Sequence, residues 1–149
     1  MPNKFALFII TVVLFSSVYI VFNPSYQKSI QAKYYFEIGE YKEALALANE
    51  AFSLDVYNRM SSTIKAQSIT ALKYKSYNDD AKKYMKTINE MAKEDLISDA
   101  NRAKIKLICE IMISSYIKLA PSVITDKNLV DESAKYYKNF EKLLDKVDR

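Results

Sequence analysis

The sequence predicts an all-α protein, on three observations. One glycine and three prolines in 149 residues leave little material for strand turns or glycine-rich loops. Residues 5–22, FALFIITVVLFSSVYIVF, form a mostly apolar run of eighteen residues without a charge. Beyond it, apolar and small side chains recur at spacings of three and four, the period of one helix face.

The run comes first in the chain. At about 1.5 Å per residue it spans about 27 Å as a helix, close to the thickness of a bilayer's hydrocarbon core. A secretory signal peptide has a shorter apolar core, of about 7–15 residues, and ends at a small-x-small cleavage site. Here the run ends in Val21-Phe22-Asn23-Pro24. The reading is an uncleaved transmembrane signal anchor over residues 1–22, with the membrane engaged by residues 5–22, followed by a water-soluble helical domain over 23–149. Only Lys4 precedes the run, whereas Lys28 and Lys33 follow it, so the charge rule leans against export. The short N-terminal tail and the signal-anchor layout favour a C-terminal domain on the periplasmic side of a bacterial inner membrane; the cytoplasmic orientation stays open. Lys28 and Lys33 also suit weak attraction to anionic lipid. Ser16 and Ser17 form no small-xxx-small motif, and the oligomeric state is left undetermined. Abundant Lys, Ile, Ser and Tyr, with no Trp or His, match the bias of AT-rich bacterial genomes.

Composition also removes whole classes of chemistry. Without histidine, and with Cys109 as the single cysteine, the common zinc sites and the Ser-His and Cys-His nucleophile pairs cannot be assembled. Cys109 has no partner for an intramolecular disulfide and does not settle the compartment. Gly39 stands alone, which excludes a phosphate-cradling loop. The adjacent carboxylates Asp79 and Asp80 would point about 100° apart on a helix, an arrangement suited to a helix start and not to a shared acid/base site. Lys and Arg number 22 against 18 Asp and Glu, but they are interspersed, as in Lys42-Glu43, Lys93-Glu94 and Glu141-Lys142. Nucleic-acid binders instead concentrate basic charge on one face. The expectation is no catalysis, no metal, no cofactor and no nucleic acid.

In the soluble part, Asn23-Pro24 is a helix start, with Asn as cap and Pro at the first helical position. That helix is expected to run to about Ile38, with Gly39 supplying the left-handed terminal residue. A second helix follows over about 40–54, where Ala44, Ala48 and Ala51 make a small-residue stripe for close approach of a neighbour. Further helices are expected over about 58–75 and 78–94, with a turn near Ser76-Tyr77-Asn78. Ser98 caps a strongly apolar helix over about 98–120, which Pro121 ends. Its stripe is Ile105, Ile108, Cys109, Met112, Tyr116 and Leu119, the profile of a central bundle helix or a partner contact. A final amphipathic helix, about 129–147, presents Val130, Ala134, Tyr137, Phe140, Leu144 and Val147 at helical spacing and would cap the stack.

The spacing of Ala32, Tyr35, Gly39, Tyr41, Ala44, Ala48 and Ala51 resembles the tetratricopeptide repeat, a helix-turn-helix unit of about 34 residues. Lys28, Gln31 and Val56 depart from the family pattern. A degenerate second unit is suggested by Ala81, Met85 and Ile88, with Ile69 and Leu72 ahead of them; an unrelated hairpin is the alternative. The resemblance implies a short α-solenoid of about three hairpins whose first helices line a concave, protein-binding surface. Its matching positions are Tyr26, Ser29, Lys33, Phe36 and Glu37, then Thr63, Ala66, Thr70, Lys73 and Tyr74. Ordinary hairpin packing is the competing role for Tyr26, Phe36 and Tyr74. The lysine-asparagine pair with which chaperone-binding members hold a C-terminal carboxylate is not reproduced, since Ser29 and Lys33 stand there. The expected function is a non-catalytic, membrane-anchored adaptor or scaffold that binds other proteins of an envelope-spanning machine, such as the flagellar motor. A transient assembly factor for membrane or cell-wall complexes is the alternative, and an envelope enzyme is less favoured.

Overall fold

The computed structural model describes residues 3–93, 97–121 and 125–148. Among them the regular structure is entirely helical: α1 (Lys4–Phe22), α2 (Pro24–Glu37), α3 (Tyr41–Leu54), α4 (Arg59–Met91), α5 (Asp99–Ile117) and α6 (Lys127–Val147). The chain divides into two compact units, Met1–Ile69 and Thr70–Arg149, and α4 contributes to both.

In the first unit, α1 leads into α2 through Asn23, whose side-chain oxygen accepts from the amides of Ser25 and Tyr26 at 2.9 and 3.3 Å. Pro24 follows at the first helical position, as its missing N–H allows. α2 and α3 form a tight hairpin. Gly39 has φ +83°, and the amides of Gly39 and Glu40 donate back to Phe36 and Tyr35 at 3.1 and 2.9 Å. A Cβ at Gly39 would meet nothing within 4 Å, so the demand for glycine there comes from backbone conformation alone. The two helices run antiparallel: Ser25 at the start of α2 donates to the carbonyl of Ala51 near the end of α3, and Lys28 pairs with Glu50. Ala32, Ala44 and Ala48 are fully buried with Ile64 from α4, and Tyr35, Phe36, Leu47 and Met60 pack around them. The alanine stripe thus lies where the helices approach most closely.

The second unit is built from the later part of α4 with α5 and α6. Tyr77, Ala81 and Ile88 of α4, Ile105, Ile108, Cys109 and Met112 of α5, and Phe140 of α6 make its core. Ser98 caps α5 by accepting from the amide of Asn101, and Asp126 caps α6 through Asn128. α5 and α6 are antiparallel, as Lys106 meets Asp148 at 2.7 Å while the Tyr116 and Tyr137 rings stack at 4.4 Å. The connection expected after Pro121 falls partly on residues 122–124, outside the described residues.

One expectation is corrected. Ser76, Tyr77 and Asn78 form no turn, because α4 is a single helix of 33 residues, about 50 Å long. Ile69-Leu72 and Ala81-Ile88 therefore lie on the same helix and cannot fold against each other as a second hairpin. Neither Gly nor Pro occurs between Arg59 and Met91 to break it. The Asn78 side chain, which would otherwise favour a turn, is engaged by α6. Its amide donates to the Leu129 carbonyl and to Glu132, each at 3.2 Å, and its oxygen accepts from Ser133 at 2.6 Å. Asp79 and Asp80 accordingly sit exposed in mid-helix and not at a helix start. The expected end of that helix at 94 lies outside the described residues.

No single helix among the described residues is long and apolar enough to cross a membrane. One pair, Lys4–Tyr19 with Pro24–Glu37, reaches that length and composition together, with an 80° bend between its members.

Candidate interaction surface

Helix α2 divides its side chains sharply. Ser25, Ser29 and Ala32 face inward and are buried. Ile30, Tyr34 and Ile38, spaced by four, are 51%, 62% and 54% exposed, so an apolar stripe runs along the outer side of α2. Lys33 and Glu37 lie exposed beside it.

The inner side of α2 is held by one asparagine. Asn58 caps α4 by accepting from the amides of Met60 and Ser61 at 3.0 and 3.2 Å. Its own amide donates to the hydroxyls of Ser25 and Ser29, each at 2.8 Å. Ser29 in turn donates to the Ser25 carbonyl, and Ser61 to the carbonyl of Asn58. All four residues are buried, and their polar groups satisfy one another. Sequence reasoning missed this cluster. The local signal was present as an N-cap residue ahead of a helical segment, but its bonds to α2 span 29 and 33 residues.

Of the ten positions matched to a protein-binding surface, Thr63 and Ala66 are exposed, and the other eight separate by environment. Lys33, Glu37 and Lys73 are exposed, and Tyr26, Phe36 and Thr70 are half-buried. Ser29 and Tyr74 are interior, at 0% and 2% exposure. Tyr26 meets Tyr19 edge-on at 6.2 Å between ring centroids, and with Phe15 and Ser16 these rings line a shallow groove. Phe36 packs edge-on against Tyr41 at 5.3 Å, as part of the hairpin. Tyr26, Ser29, Lys33, Phe36 and Glu37 belong to the first unit; Thr70, Lys73 and Tyr74 belong to the second.

The titratable groups with displaced protonation are poor nucleophiles. Burial pushes the Cys109 thiol up to about 11, with Glu110 adding to the effect. At neutral pH that leaves essentially no thiolate. Burial likewise raises Tyr74 and Tyr77, and the neighbouring phenol of Tyr116 raises both further. No three His, Cys, Asp or Glu side chains among the described residues converge as metal ligands.

Compared with protein-family models, curated proteins and solved structures, the chain matches none.

Proposed function

We propose that the protein is a membrane-anchored, non-catalytic adaptor, in which α1 spans a bilayer and the helices after it bind another protein. The observation that carries this reading is α1 itself. Residues 5–22 hold no charge, and residues 3–19 are all exposed. A helix that is apolar on every side requires either a protein core or lipid around it, and the described residues leave 3–19 uncovered. The hydroxyls of Thr11, Ser16 and Ser17 donate to the carbonyls of Leu7, Val12 and Val13 at 2.9, 2.8 and 2.8 Å, which meets the demand of a bilayer interior for internal satisfaction of polar groups. Lys4–Tyr19 alone falls short of a span, so the anchor is taken as the whole uncharged run of residues 5–22, about 27 Å as a helix. α2, the other member of the bent pair, carries Lys28, Lys33 and a buried inner side, features of a helix in a water-exposed domain.

For the partner we infer a protein of a bacterial envelope complex, with the helical region on the periplasmic side. The alanine-lined α2–α3 hairpin and its glycine turn support a tetratricopeptide-like first repeat. The surface offered is the outer side of α2: Ile30, Tyr34 and Ile38 with Lys33 and Glu37. A photo-activatable crosslinker placed at Tyr34 or Lys33 of the full chain in living cells tests this. One or two envelope proteins captured in stoichiometric yield are expected. Scattered, short-lived products would favour a transient assembly factor, and cytoplasmic products alone would reverse the topology.

A further inference from the structure

The connection between α3 and α4 displays large apolar side chains to the outside. Leu54, Val56 and Tyr57 are exposed, Tyr57 to 89%. Exposed apolar side chains grouped on one turn are a candidate contact. Asp55 accepts from the Tyr57 amide at 2.9 Å, which fixes the turn that presents them.

The location of this turn is set by hydrogen bonds on both of its sides. Ser25 donates to the carbonyl of Ala51, and Asn58 donates to the hydroxyl of Ser25, each at 2.8 Å. Ser25 lies three residues after Phe22, the last residue of α1. The turn is therefore tied to the first turn of α2, beside the end of α1. The same region collects Phe22, 76% exposed, and the edge-on pair Tyr19 and Tyr26. Tyrosines concentrate where a membrane meets water, because the ring is apolar and the hydroxyl is not. Arg59, exposed at the start of α4, supplies a cation for lipid phosphate.

We propose that Leu54, Val56 and Tyr57 seat in the headgroup layer of the bilayer that holds α1, giving the first unit a second membrane contact next to its anchor. The proposal rests on the reading of α1 as a membrane span. Lipid is the occupant because the cluster adjoins the end of that span and offers the chemistry of a bilayer boundary: aliphatic side chains, tyrosines and one arginine. α1 supplies the affinity, and the loop fixes how the unit is turned on the membrane surface.

The absence of tryptophan makes a direct test available, since one introduced indole is the only one in the chain. Full-length Phe15→Trp and Tyr57→Trp variants are reconstituted in phosphatidylcholine–phosphatidylglycerol vesicles carrying bromine either near the headgroup or near the acyl-chain end. Loss of fluorescence is expected in both variants. It should be larger with deep bromines for Phe15→Trp and larger with shallow bromines for Tyr57→Trp. Quenching of Phe15→Trp beside water-like, unquenched emission from Tyr57→Trp would overturn the loop contact and leave the anchor standing. If neither is quenched, α1 is not in the bilayer and both readings fall. Blue-shifted but unquenched emission from Tyr57→Trp would show that protein, not lipid, covers the loop, which also overturns the proposal.

Discussion

Asn58 shows how much one side chain does in a core made largely of alanine and serine. It supplies both the cap of α4 and the polar link to α2. Replacing it by alanine removes four hydrogen bonds and strips the buried hydroxyls of Ser25 and Ser29 of their donor. Both hydroxyls keep the bonds they donate, to the carbonyls of Ala51 and Ser25, so each of the two bonds lost to them costs about 0.5–1.5 kcal/mol, and loss of the cap about 1 kcal/mol. Asn58→Ala is therefore expected to destabilise the first unit by about 2–4 kcal/mol. Urea denaturation followed by circular dichroism measures this, and a loss below about 0.5 kcal/mol would remove the network from the stability account. Ser68 and Tyr77 contrast with it, because their buried hydroxyls find no hydrogen-bond partner among the described residues. We have no physical account of either.

Among the elements, those read correctly from sequence have local causes. Asn23-Pro24, Gly39 and Ser98 act within a few residues of themselves, and the alanine stripe of α3 declares its buried side through its own spacing. The turn expected at 76–78 failed because the deciding contacts are distant. Asn78 binds residues 51 to 55 positions away, and Tyr77 packs against Tyr116. The same limit applies to the surface. Exposure of Lys33 and Glu37 follows from helical period, whereas burial of Ser29 depends on Asn58, which lies beyond any local window. The continuity of α4 is open to a sharp test at Ser76, which is exposed. Proline there removes a helix hydrogen bond and clashes with the preceding turn, at a cost of about 3 kcal/mol or more. Ser76→Pro is expected to lower the melting temperature accordingly. A variant as stable as the parent would restore the turn.

At the scale of the whole molecule, Tyr74, Tyr77, Lys82, Lys106, Cys109 and Tyr137 of the second unit all have their pKa shifted upward. Burial dominates for Tyr74, Tyr77 and Cys109, while hydrogen bonds to Glu132, Asp148 and Glu141 dominate for Lys82, Lys106 and Tyr137. A raised folded-state pKa means that the folded unit holds its protons more tightly than the unfolded chain. Its stabilising contribution is complete below the ordinary value and is lost as pH rises through the folded one. For Cys109 that window opens at 9.0 and closes at about 11. The second unit is thus expected to lose stability as pH climbs from about 9 to 11. Thermal melts across that range, with tyrosinate absorbance and limited proteolysis assigning the melting region, should show an early transition confined to residues 70–149. A single transition that does not move with pH would contradict it.

The boundary after Ile69 carries a consequence for synthesis. The partners that Asn58 and Ile64 supply to α2 and α3 in the first core precede that boundary. Chains emerge at about 5–20 residues per second, and hairpins between neighbouring helices close far faster. The first unit can therefore finish folding while the residues of the second are still being translated. Birth order along the ribosome thereby separates assembly of the early alanine-serine core from assembly of the core that α5 enters.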